Sequence, residues 1–234
     1  MEILEKNLRS VQERIDRAAA RSGRSPEAIT LVAVTKRTPE SWARSLLTLG
    51  QQDLGENYPQ ELWSKADALA DLPEARWHLI GHLQSNKLKR TLPIVTMIHA
   101  VDSLKLLTAI GEMMNQAPRL RRICLQVNMS GEESKHGWGE SSILADAEAI
   151  AAVIEKYRLP VTGLMTMAGY GTDPETARPA FIALRLLADK LSARMGRPLT
   201  DLSMGMSGDF ESAIEEGATF VRVGSLLFEG LTAE

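Results

Sequence analysis

Apolar positions along the chain follow two alternating rhythms. Leu4, Leu8, Val11, Ile15 and Ala19 fall at three- and four-residue steps. This is the repeat of a helix with one buried face, and Ser22-Gly23 supplies its stop. Short apolar runs follow, each trailed by a helical segment. They predict strands at Thr30–Thr35, Asp53–Gly55, Trp77–Ile80, Met97–Val101, Ile123–Asn128, Val161–Met165, Asp201–Met204 and Thr219–Val223. Between them Pro39 opens a helix that closes at Gly50, and Pro59 lies in the first turn of the next. Longer periodic segments cover Ser141–Tyr157 and Glu175–Met195, the second stopped by Gly196 ahead of Pro198.

Strands alternating with helices make parallel βαβ units. At 234 residues the chain is close to the ~250 typical of a (β/α)8 barrel, so a closed barrel is predicted over an open doubly wound sheet. No linker or low-complexity stretch divides it, and one domain over residues 1–234 is expected. Composition changes this picture little. With 44% hydrophobic and 24% charged residues the chain is ordinary globular material. A net charge of −3 gives no electrostatic pull toward nucleic acid or an anionic membrane. No run reaches the ~18 apolar residues of a membrane span, and the N-terminus lacks the apolar centre of a signal peptide, so a cytoplasmic protein is expected. Cys124, the one cysteine, sits in the apolar run ICLQVN and is expected to be a buried thiol.

In such barrels the chemistry gathers where strands end and βα loops begin. Three of those points carry unusual residues. Lys36 follows TLVAVT and shares a strand face with Val32 and Val34. If that face lines the barrel, the ammonium is poorly solvated, and its neutral amine can attack an aldehyde and hold it as an imine. Otherwise it is a lysine leaving a strand end for solvent. Arg222 alternates with Val221 and Val223, which places it inside with Phe220 and Gly224. A buried guanidinium needs a partner, either a carboxylate such as Glu56 or a ring nitrogen of a cofactor. The third point is the pair of loops Gly205-Met206-Ser207-Gly208 and Gly224-Ser225, after the seventh and eighth strands, the usual phosphate site of this architecture. Ser207 is expected to cap the helix that holds Ser212-Ala213-Ile214, turning backbone N–H groups toward an anion. His78 and His82 are four apart, but on and just past a strand they lie too far apart for one metal, and no dinucleotide or Walker fingerprint is present.

Ordered blocks over nearly the whole chain carry a family likeness. They are VAVTKRTPE, LGENYPQEL, WHLIGHLQSNK, NMSGEESKHGW, GLMTM, LSMGMSGDFESAI and VRVGSLLFEG. In them the chain resembles the pyridoxal phosphate homeostasis proteins, single-domain relatives of the N-terminal barrel of bacterial alanine racemase, a TIM-type barrel of pyridoxal phosphate fold type III. The resemblance implies pyridoxal 5′-phosphate (PLP) as cofactor, with Lys36 as the imine lysine and Asn57 beside it. It implies that Met206, Ser207, Gly224 and Ser225 hold the phosphate and that Arg222 faces the pyridine nitrogen. Pro59 stands where an aliphatic residue is usual, and Gly208 replaces a more usual acidic or small residue. Neither removes a proposed contact. His82, Lys87 and Lys135 lie in family-like segments without an assigned role, and Lys135 reads as a solvated charge rather than a second PLP acceptor.

The resemblance implies a non-catalytic PLP carrier in vitamin B6 and amino-acid homeostasis, monomeric, with PLP-dependent apoenzymes as possible recipients. The alternatives are a racemase-like PLP enzyme and, further off, a phosphosugar-processing barrel without PLP. A racemase needs a base on each face of its substrate, and in the related racemases the second is a tyrosine from a further domain. Here the chain ends at Glu234, after the eighth strand's loop, and of Tyr58, Tyr157 and Tyr170 only Tyr58 follows a rim residue. Arg222 points the same way, because a guanidinium donates to the ring nitrogen and disfavours the pyridinium that makes PLP an electron sink.

Overall fold

The computed structural model describes residues 1–129, 136–168 and 173–232. All the predicted strands are present: β1 (Thr30–Val34), β2 (Asp53–Glu56), β3 (Arg76–Leu79), β4 (Val95–Val101), β5 (Arg122–Gln126), β6 (Val161–Met165), β7 (Asp201–Met206) and β8 (Phe220–Val223). Each pairs in parallel with its sequence neighbours, and β8 returns to pair with β1, closing the barrel. The helices that precede β1 to β5 or join them are α1 (Glu2–Arg21), α2 (Glu40–Thr48), α3 (Pro59–Ala68), α4 (Leu88–Thr91) and α5 (Leu104–Glu112). After β5 come α6 (Glu140–Ala145), α7 (Ala147–Tyr157), α8 (Pro174–Met195) and α9 (Phe210–Glu215).

Strand alternation sorts the apolar residues into two layers. Leu31, Ala33, Leu54, Val221 and Val223 point outward into the shell between sheet and helices. Val32, Val34, Met97, Cys124, Met165 and Phe220 point inward and fill the barrel. Each such side chain removed from water contributes roughly 1.5–3 kcal/mol, so the alternation fixes the register of every strand. Cys124 is a buried free thiol, as expected. Gly163 sits where β6 meets β7, and a Cβ there would lie 1.8 Å from the Asp201 carbonyl oxygen, so no side chain is tolerated.

One feature departs from the sequence reading. The segment Ser141–Tyr157 is two helices, interrupted at Asp146, whose carboxylate accepts the Trp138 indole N–H at 2.9 Å. Pro59 is the first residue of α3 and buried, a position where its missing N–H costs nothing. The first helix stops at Arg21 as the pattern predicts and seals the wall beside α9. Arg14 and Arg21 pair with Glu211 and Glu215 at 2.8 and 2.7 Å, and Arg24 donates to the carbonyls of Ile214 and Ala218.

Candidate functional site

β1 stops at Val34, and a tight turn then carries Lys36 out over the upper, C-terminal mouth of the barrel. Both flanks of the lysine are tied down. Thr35 N–H donates to the Gly55 carbonyl at 3.0 Å, and its hydroxyl donates to Glu56 Oε1 at 2.6 Å. The Thr35 carbonyl accepts from Lys65 Nζ and from Thr38. Arg37 adopts φ 59°, in the left-handed region that a non-glycine residue occupies only when its surroundings compel it. Its N–H is held by Glu61 Oε2 at 3.0 Å. The backbone around Lys36 is therefore fixed while its side chain is exposed. The desolvated ammonium expected from the sequence is not found: the in-phase neighbours Val32 and Val34 lie inside, but the strand ends before the lysine does.

Glu56 is not the partner of Arg222. It ends β2 on the outer face, fully buried against α3, where Lys65 Nζ meets its Oε1 at 2.6 Å while Oε2 has no hydrogen-bond partner. Burial raises its pKa against the opposing bonds from Lys65 and Thr35. Arg222 instead points into the barrel as predicted, 3% exposed, and donates to Ser203 Oγ at 2.6 Å and to the Thr166 carbonyl at 2.9 Å. Burial lowers its pKa to about 10, with the charge of Asp209 opposing. Among the described residues it forms no ion pair.

The two loops beside it are linked. Gly224 N–H donates to Ser207 Oγ at 3.2 Å, and Met206 N–H to Asp209 Oδ1 at 2.6 Å. The expected N-cap role of Ser207 is therefore wrong. The helix begins at Phe210, with Asp209 in the cap position and its carboxylate turned back to Met206. Asp209 was missed, since Ser207 and Asp209 are both good cap residues and spacing does not choose between them. Burial raises the pKa of Asp209, against the Met206 bond and the charge of Arg222.

Strand order decides what comes together. Met206 on β7 is in register with Arg222 on β8, and Arg222 with Val32 on β1. A Cβ on Gly224 would lie 3.1 Å from the Val34 carbonyl oxygen, two residues before Lys36. Val34 is in register with Gly55, two residues before Asn57. Asn57 is packed so closely on Gly81 that a Cβ at Gly81 would lie 2.2 Å from its carbonyl oxygen. Lys36, Asn57, Met206, Ser207, Arg222, Gly224 and Ser225 thus stand on four consecutive staves, β7, β8, β1 and β2, at one end of the barrel.

No family model matches the chain. Individual proteins do. It is 39% identical over 221 residues to the pyridoxal phosphate homeostasis protein of Aquifex aeolicus, covering 94% of this chain and 95% of that one. It is 40% identical over 228 residues to the protein of that name in Pseudomonas aeruginosa, covering 97% and 96%. The chain belongs to the pyridoxal phosphate homeostasis protein family. A solved structure of PipY from Synechococcus elongatus, with PLP bound, superposes with a TM-score of 0.77 at 32% identity, covering 92% of this chain and 99% of that one.

Within this family member the remaining candidates go separate ways. His78 is turned into the barrel, whereas His82 bonds Asp102 at 2.7 Å and stacks on His136 at the rim. Lys87 lies over the Trp63 ring. Tyr58 is 44% exposed, beside Pro59 and His82. Lys135 and Tyr170 lie outside the described residues.

Proposed function

We propose that this chain is a single barrel domain, residues 1–234, that holds PLP through a Schiff base at Lys36 and serves PLP and amino-acid homeostasis without catalysing a reaction. The observation that carries the reading is the gathering on four adjacent staves of an amine, two hydroxyl-bearing loops and a buried guanidinium that has no carboxylate partner among the described residues. The donor set fits the cofactor group by group. Lys36 offers an amine to the aldehyde. Met206, Ser207, Gly224 and Ser225 offer backbone N–H and hydroxyl donors to the phosphate, once Met206 N–H leaves Asp209 and Gly224 N–H leaves Ser207. Asn57 lines the side toward β2.

When bound, PLP supplies an electrophilic carbon and, with a protonated ring nitrogen, a sink for electrons. Arg222 limits the second property. A guanidinium has no acceptor, so toward the ring nitrogen it would act as a donor and would disfavour protonation there. The exposed Tyr58 is poorly placed to hold or move a proton inside the mouth. The same reading has the protein acting in the cytoplasm as a monomer, with PLP-dependent apoenzymes as recipients. Mixing the purified protein with PLP tests the core of it. A yellow band of a lysine-bound imine is expected, and it should be absent from Lys36→Ala of unchanged fold. A spectrum identical to that of free PLP would refute the reading.

A further inference from the structure

A line of buried polar side chains crosses the barrel interior beneath Arg222. Ser203 Oγ lies 2.7 Å from His99 Nδ1, His99 Nε2 lies 2.9 Å from His78 Nδ1, and His78 Nε2 lies 2.9 Å from Asp53 Oδ1. All four residues are buried. Asp53, Arg76 and Arg122 are the first residues of β2, β3 and β5, so this end of the line is the lower, N-terminal mouth of the barrel. His78 and Asp53 line a cavity of about 340 Å³ there, with Arg76, Arg121 and Arg122.

The ends of the line decide where every proton sits. Arg222 is a donor only, and an ionised Asp53 is an acceptor only. Burial works against the Asp53 charge, but His78 and Arg76 outweigh it and leave its pKa below the ordinary value. Burial above all pushes His99 well below the usual histidine range, so that ring is neutral. Because Arg222 takes a Ser203 lone pair, the Ser203 hydroxyl proton goes to His99 Nδ1, and a neutral His99 then carries its own proton on Nε2, toward His78 Nδ1. Only one arrangement fills every bond. His78 donates from Nε2 to Asp53, His99 donates from Nε2 to His78 Nδ1, and Ser203 donates to His99 Nδ1. The Ser203 lone pairs are then left for Arg222. A proton added to His78 would reverse the line and deprive the Ser203 hydroxyl of its acceptor.

We propose that Asp53, His78, His99 and Ser203 are positioning residues: a one-way hydrogen-bond relay, anchored at the lower mouth, that holds Arg222 as a fixed donor toward the ligand's ring nitrogen. Only its upper end rests on the PLP reading. The relay turns Ser203 into an obligate acceptor for Nη1, and the Thr166 carbonyl takes Nη2. Arg222 is thereby oriented without a carboxylate, whose charge would compete with the ligand for the guanidinium.

Long-range ¹⁵N–¹H NMR of the histidine rings tests the relay in the protein without cofactor at neutral pH. His78 and His99 should both be neutral and protonated at Nε2. A cationic ring, or a proton on Nδ1 of either, overturns the proposal. In Ser203→Ala the His99 Nδ1 signal should move toward that of an unbonded imidazole nitrogen. Retention of PLP and of pyridoxal should fall by the same factor, about tenfold for one lost buried hydrogen bond, because both vitamers carry the ring nitrogen. An unmoved His99 signal, or a loss confined to PLP, also overturns it. The first measurement needs neither a variant nor bound PLP, so failure to bind PLP would sink the cofactor reading and leave the relay standing.

Discussion

Arg222 on β8 donates to the Ser203 hydroxyl on β7 at 2.6 Å, where a buried guanidinium would ordinarily meet a carboxylate. Asp209, the acid whose charge acts on Arg222, is engaged with Met206 N–H, and Glu56 is on the far side of the wall. A cation in this position has its charge only partly compensated, and burial lowers its pKa to about 10. A ligand that presents an acceptor atom and an anionic group completes it. The loops proposed to take the phosphate are likewise built from residues already engaged with one another. Ser207 and Asp209 satisfy N–H donors that a phosphate would take over.

The buried pair Lys65–Glu56 braces the turn that carries Lys36. Lys65→Met should cost about 3–5 kcal/mol in urea unfolding at neutral pH, because it leaves the Glu56 carboxylate buried without its cation. The loss should shrink on acidification. Glu56 already has a raised pKa in the fold, so its protonated form favours folding at low pH, and that advantage fades as pH rises through the folded-state value. A penalty independent of pH would show that packing, not charge, dominates. Adding Glu56→Leu should restore most of the stability.

Ser207→Ala should weaken retention of PLP more than of pyridoxal. Its hydroxyl would touch only the phosphate, and one charge-assisted bond of roughly 1.5–3 kcal/mol corresponds to about a tenfold to hundredfold loss. Equal losses for both vitamers would show that Ser207 merely ties Gly224 to β7.

Much of this was legible in the sequence, and the limits are physical. The barrel followed from alternation of period two and 3.6, and Arg222 was placed inside by counting from Val221 and Val223. The exposure of Lys36 was not legible, because nothing in TLVAVTK marks Val34 as the last residue of the strand. The relay was hidden for a different reason. Its members come from β2, β3, β4 and β7, whose pairing depends on register, and β4 breaks phase between Ile98 and Val101. Both Met97 and Ala100 face inward as a result, so alternation alone does not place His99. His78 was weighed only as a metal ligand.

Removal of the α-proton of alanine should be slow. On the proposed reading Arg222 would hold the ring nitrogen as an acceptor, and the rim tyrosine Tyr58 is exposed. Solvent deuterium exchange at the alanine α-carbon, followed by NMR with the PLP-loaded protein, should proceed at a rate close to that of free PLP with alanine. Exchange at the ~1–10³ s⁻¹ of ordinary enzymes would mean a racemase-like activity, and Tyr58→Phe would then test the base.

The most direct test of the account is borohydride reduction of the PLP-loaded protein, followed by peptide mapping. The account predicts a phosphopyridoxyl group on the peptide that contains Lys36, and none on Lys36→Ala treated in the same way. A label found instead on the neighbouring buried Lys65, or on Lys87, Lys89 or Lys135, would contradict it.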